Sequence, residues 1–165
     1  MLIEQDLEAK ILAALSSALP ATPKCFATGF WQPSALAVLK RVENTPDAVA
    51  ILEVATSPAK RETFSVPVVT FDVTVALVVR LDLDPQGTAF AALAEAIIAT
   101  FREWQAATYQ QTFTALDVDG LSADDVAISA TTPVIDTSTQ TARLSWSLTI
   151  SGTYIPETPS TPSTP

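Results

Sequence analysis

Histidine is absent from the 165 residues, and cysteine occurs once, as Cys25. The first absence removes Ser-His-Asp and Cys-His catalysis together with most zinc sites. The second rules out an intramolecular disulfide, which fits a reducing compartment and argues against a small secreted scaffold. Cys25 stands beside Phe26 with no cationic or metal-ligand pattern around it, and it reads as a buried structural residue. Glycine is also scarce: Gly29, Gly87, Gly120 and Gly152 lie far apart. Neither G-x-G-x-x-G nor a P-loop can be written, so loops that cradle phosphate are excluded. No apolar run reaches the ~18 residues a membrane span needs. The N-terminal Met1-Leu2-Ile3-Glu4-Gln5-Asp6 has acids where a secretory signal has cations, and no signal peptide is expected.

Charge is in short supply as well. Charged residues make up 16% of the chain and hydrophobic ones 48%, against about 25% charged in average soluble proteins. A monomer needs charge to stay in solution, whereas a subunit that buries its flanks against other chains needs less. The shortage favours an oligomer over the blander alternative, a weakly polar surface of Ala and Thr. The net charge is −9. The cations Lys10, Lys24, Lys40, Arg41, Lys60, Arg61, Arg80, Arg102 and Arg143 are scattered. No stretch clusters them as phosphate neutralisation requires, so tight nucleic-acid binding is not expected. An acidic surface can still face DNA without adhering to it.

Against these absences stands strong periodicity. Ile3, Leu7, Ile11, Leu15 and Leu19 recur every four residues, which predicts a helix over 2–19. Pro20 and Pro23 end it. Residues 24–46 give no clear pattern, and Asn44-Thr45-Pro46-Asp47 reads as a turn. A buried strand is expected over 48–55, then a polar break at 57–61. From Val69 to Leu83 every second residue is apolar, a period of two that predicts one long strand, bent or projecting beyond the domain. Thr88 is the expected N-cap of a helix whose stripe is Phe90, Leu93, Ala94, Ile97, Phe101 and Trp104. Residues 107–125 are mixed, with a turn at Asp119-Gly120. Two alternating runs, 126–130 and 142–150, flank the polar bridge 136–140 and predict an antiparallel hairpin. The expected fold is α+β: a mixed, mostly antiparallel sheet with a long hairpin, flanked by two main helices. Residues 1–155 form one domain in this reading. The Pro/Thr/Ser-rich stretch 156–165 cannot bury enough to fold and is expected to be disordered.

The acids offer little chemistry. If Gly120 is the sixth position of a calcium loop beginning around Asp117-Val118-Asp119, Ala115 and Val126 stand where acids are required, so that reading fails. Asp82 and Asp84 share one face of the long strand, as a carboxylate pair might, yet solvated acids at a strand end are ordinary. Asp124-Asp125 reads as a turn or a solvated strand start. Trp146 belongs to the core in preference to a ligand-stacking role. Pro159, Pro162 and Pro165 match PxxP spacing without a flanking cation. No catalytic, cofactor-binding or metal residue is assigned, no cofactor is implied, and the chain is read as no enzyme.

Five stretches have a recognisable order: the N-terminal amphipathic helix; Asp47-Ala48-Val49-Ala50-Ile51-Leu52; the strand from Val73 to Leu83; Asp84-Pro85 leading into the second helix; and Leu144-Ser145-Trp146-Ser147-Leu148-Thr149-Ile150. Across residues 3–155 this pattern resembles the tail terminator proteins of phages with long, non-contractile, lambda-like tails. The resemblance implies a homo-oligomer, a hexameric ring, that caps the tail tube, stops its polymerisation and presents a surface to the head–tail connector. The implied partners are sister copies, the tail tube protein and the connector or head-closure protein. Genomic DNA would pass through without specific binding, and no membrane is involved. The implied location is the virion, in tail or neck, with the host cytoplasm during assembly. The Thr/Pro tail and residues 24–46 depart from the family, which keeps a neck or head-closure role open. A small-ligand or peptide-binding module and an enzyme using carboxylates alone are the readings from other classes.

Overall fold

The computed structural model describes residues 3–22, 24–29, 49–62, 68–109 and 121–155. Among these, the elements in chain order are α1 (Ile3–Ala18), β1 (Cys25–Gly29), β2 (Ala50–Thr56), β3 (Lys60–Glu62), β4 (Val68–Arg80), α2 (Thr88–Tyr109), β5 (Leu121–Ala130), β6 (Val134–Asp136) and β7 (Thr141–Tyr154). The strands form one seven-stranded sheet in the order β1-β2-β4-β7-β5, with β3 beside β4 and β6 beside β7. Only β1 and β2 are parallel; every other pair is antiparallel. The fold is α+β, as the periodicity predicts.

Alternation decides which side of the sheet is buried. One cross-strand row runs Gly29–Val54–Val75–Trp146, and the row beside it Ala27–Leu52–Leu77–Leu144. Both helices lie on this side. The Cβ that Gly29 lacks would fall against the Glu8 carboxylate and Leu12 of α1. The ring of Phe101 on α2 meets Trp146 edge-on, with centroids 6.0 Å apart. Leu7, Ile11 and Leu15 of α1 and Leu93 and Ile97 of α2 are completely buried there. Each such side chain contributes about 1.5–3 kcal/mol of burial, which outweighs the modest helix propensity of either segment.

The long strand does not project. β4 runs for 13 residues and is paired along its length with β7 on one side. Its other side is shared by β2 and β3. The alternation expected to reach Leu83 stops at Arg80, where the amides of Leu83 and Asp84 turn back onto the Arg80 carbonyl. The polar break is also shorter than expected. Residues 57–59 leave the sheet, but Lys60–Glu62 rejoin it as β3. There Lys60 reaches Asp72 and Arg61 lies over the Tyr154 ring.

The first strand of the sheet is β1, within the segment whose sequence had no clear pattern; residues 30–46 and the turn at 44–47 lie outside the described residues. The hairpin holds, in longer form. β5 starts at Leu121 and pairs with Trp146–Tyr154, then 131–133 step out, and β6 resumes the pairing against Thr141–Arg143. A register shift between Ala123 and Asp125 brings the β5 backbone over Gly152, where a Cβ would collide with the Ser122 carbonyl. The turn at Asp119-Gly120 and the stretch 156–165 lie outside the described residues.

Candidate interaction surfaces

The acids singled out in the sequence are not brought together. Asp82 and Asp84 share no strand face, because the chain has left β4 before either. Asp82 is exposed and accepts a hydrogen bond from Arg80 Nη2 at 2.9 Å. Asp84 is buried, and its oxygens accept the amides of Ala89 and Phe90 at 3.0 and 2.9 Å. It therefore caps α2, the role the sequence assigned to Thr88. A residue four positions earlier reaches the same orphan amides because residues 84–87 fold into a turn beneath the helix. Asp124 and Asp125 are exposed on β5, at the register shift. Asp117 and Asp119 lie outside the described residues. Among the described residues, no group of three or more His, Cys, Asp or Glu side chains is placed to hold a metal ion.

Cys25 points to the helix side from β1 and is half-buried. Burial pushes its thiol up to about 11, against a smaller lowering from the Leu52 backbone. At neutral pH it is a protonated thiol, hence a weak nucleophile. Trp146 is 1% exposed and sits in the core. Two open hollows flank the helices. One of about 300 Å3 lies between α2 and β5, with Ile98, Arg102, Gln105 and Ile128 in its wall. Another of about 360 Å3 lies between the end of α1 and β1, with Leu19, Pro20, Lys24 and Cys25 in its wall. Neither gathers the converging polar groups of a small-molecule site.

The face of the sheet opposite the helices is buried at Thr28, Ile51 and Ala76 but open farther along, over β4, β7 and β5. Its rows run Ala55–Thr74–Ser147–Ser129, then Asp72–Thr149–Ala127, then Thr70–Ser151–Asp125. Thr74, Ser147, Ser129, Asp72, Ala127 and Asp125 are exposed. Lys60 with Asp72 and Arg143 with Glu53 add ion pairs on the same face. Thr149 donates to Asp72 at 3.3 Å. Hydroxyls and small side chains alternate on this face with the charged Glu53, Lys60, Asp72, Asp125 and Arg143.

The two edges of the sheet carry the other feature. Large hydrophobics are exposed at Val134 (62%) and Ile135 (65%) on β6, with Leu83 in the turn after β4. Leu81 N donates to Gln140 O at 2.8 Å, which fastens that turn to the tip of the β6–β7 hairpin. The sequence pointed to the hairpin but not to its exposed apolar pair. The available signal was Pro133 just before Val134, since proline inside a sheet marks an edge strand. Among the described residues β6 and β5 border only β7, and β1 borders only β2. No helix among the described residues is long and apolar enough to cross a membrane. No protein-family model matches the chain, and neither does any curated protein.

Proposed function

We propose that this protein is a structural assembly subunit that closes into a ring with copies of itself, as a phage tail terminator does. In this reading the ring, hexameric by resemblance, caps the tail tube, ends its polymerisation and offers a second surface to the head connector. The subunit acts in the virion and assembles in the host cytoplasm. The observation that carries the reading is the open face of the sheet. Among the described residues both helices lie on one side of the sheet, and the other side of β4, β7 and β5 exposes Asp72, Thr74, Ser147, Ser129, Ala127 and Asp125. Its hydroxyls and paired charges suit the polar contact of one protein surface with another. The low charged fraction of the chain supports the same conclusion. With a net charge of −9, the ring repels DNA, which favours free passage through its opening.

Native mass spectrometry over a concentration series tests the proposal. The expected result is a closed oligomer, or a monomer that becomes a ring when tail tubes are added. Added to growing tubes, the protein should stop elongation. Binding to the head side alone, with no effect on tubes, would assign the ring to the neck. A monomer under every condition, inert toward tubes and connector, overturns the proposal.

A further inference from the structure

The two strands that border the sheet among the described residues, β1 on one side and β6 on the other, are matched in height, direction and chemistry. Register carries each level across the strands. Cys25 stands opposite Ala50, Ala50 opposite Val79, Val79 opposite Ala142, and Ala142 opposite Ile135. One level away, Phe26 continues through Ile51, Val78 and Arg143 to Val134. On the other side, the Arg80 amide donates to Val49 and the Val49 amide to Lys24. Arg80 is opposite Thr141, and Thr141 opposite Asp136. The start of β1 and all of β6 therefore lie at the same level, at opposite ends of the sheet. β1 runs with β2 and β7, whereas β6 runs against β7.

From this geometry we infer that β6 of one copy pairs antiparallel with β1 of the next, with Asp136 meeting Lys24, Ile135 meeting Cys25 and Val134 meeting Phe26. The inference rests on the ring reading and names its contact. A ring repeats one heterologous contact with no rise along its axis, so edges at equal height meet where the strands follow that axis. Neighbours kept in the same orientation bring β6 and β1 together antiparallel, the pairing a sheet edge accepts most readily. Faces agree as well as heights. Ile135 and Cys25 both lie on the helix side, and Val134 and Phe26 both lie on the opposite side. The contact would cover Val134 and Ile135, two of the three large hydrophobics that are more than 60% exposed among the described residues. It also joins an acid to a cation. Lys24 is exposed and rests over the Phe26 ring, 5.3 Å from its centroid. Asp136 is exposed and bound through Oδ1 by the Ser138 amide, the Ser138 hydroxyl and the Thr139 amide.

Because Cys25 is the only native thiol, an Ile135→Cys variant gives a direct test. Directly opposed residues in an antiparallel pair have Cα atoms about 4.5–5.5 Å apart, within reach of a disulfide. Under copper-phenanthroline oxidation, Ile135→Cys should give a reducible ladder of covalent multimers up to the ring size on a non-reducing gel. The wild type and the Ile135→Cys/Cys25→Ser double variant should give none. Asp136→Lys and Lys24→Asp should each weaken assembly, by up to about fivefold per contact, and the charge-swapped double variant should recover it. If the wild type forms rings by native mass spectrometry yet Ile135→Cys gives no ladder and the swap no recovery, this contact is wrong and the ring reading survives. A wild type that never assembles removes both.

Discussion

On β4, Phe71, Val73 and Val75 are 0–1% exposed, while Asp72 and Thr74, one residue away, face solvent. The same strand thus lies between a close-packed interior and an open floor. On the interior side, these side chains belong to the packed core cluster, and removing one leaves a hole that the packed layer cannot fill. On the open side, the hydroxyls exchange water for one another at little net gain. The difference teaches that in this part of β4 and its partner β7 one face holds the fold and the other is free to serve contacts. Substitutions on the two faces should therefore differ in kind: loss of stability inside, loss of assembly outside.

The largest effect should come from Trp146→Ala, which removes the ring wedged against Phe101. We expect a loss of about 3–5 kcal/mol in urea unfolding. Ser147→Ala, its neighbour on the open face, should stay within about 0.5 kcal/mol. Equal values for the two variants would break the comparison of faces. Next is Gly152→Ala, which drives a Cβ onto the Ser122 carbonyl at the register shift of β5. Backbone there must move, and a loss of about 1–3 kcal/mol is expected. An unchanged midpoint would show that β5 does not press on β7 at that point. Asp84→Ala strips α2 of its cap and should lower stability by about 1 kcal/mol. Asp84→Asn, which keeps an accepting oxygen, should recover part of the loss.

A further effect concerns pH. Burial raises the Cys25 thiol from 9.0 to about 11, so the folded state holds its proton more tightly than the unfolded chain does. The contribution to stability is fully present below about pH 9 and is lost as pH rises toward 11. Cys25→Ser should remove that part of the alkaline decline, as read by unfolding midpoints between those pH values. Labelling by iodoacetamide at pH 8 should be slow in the native protein and fast in urea. Fast native labelling would place the thiol outside the packed layer.

Much of this was legible beforehand because repetition is a local property. The four-residue recurrence of Leu7, Ile11 and Leu15 required a helix with one buried stripe, and the structure buries that stripe. The alternation from Val69 to Val79 and from Ala142 to Ile150 required strands with one apolar face, and those faces form the core. β1 escaped notice because its five residues, Cys25–Gly29, are too few to show a period. It becomes a strand by pairing in parallel with a partner 25 positions later in the chain. β3 escaped notice because Lys60 and Arg61 read as a solvated break, and its strand exists only through the exposed start of β4. The cap of α2 was misplaced for a similar reason. Thr88 occupies the usual position, but the turn at 84–87 carries Asp84 to the same amides.

The candidate surfaces divide in the same way. The scarcity of charge, the single thiol and the lack of histidine are visible in the sequence, and they turn attention from chemistry to contact. That Val134, Ile135 and Asp136 stand level with Phe26, Cys25 and Lys24 is not visible there. Over 100 residues separate the two triplets, and their common height arises only when β2, β4 and β7 are laid in register between them. Sequence by itself determined which side chains seek burial, because hydrophobicity and its period belong to each segment alone. Tertiary structure decided which edges remain open and what faces them, because strand order and register are set by pairing energies summed over distant segments.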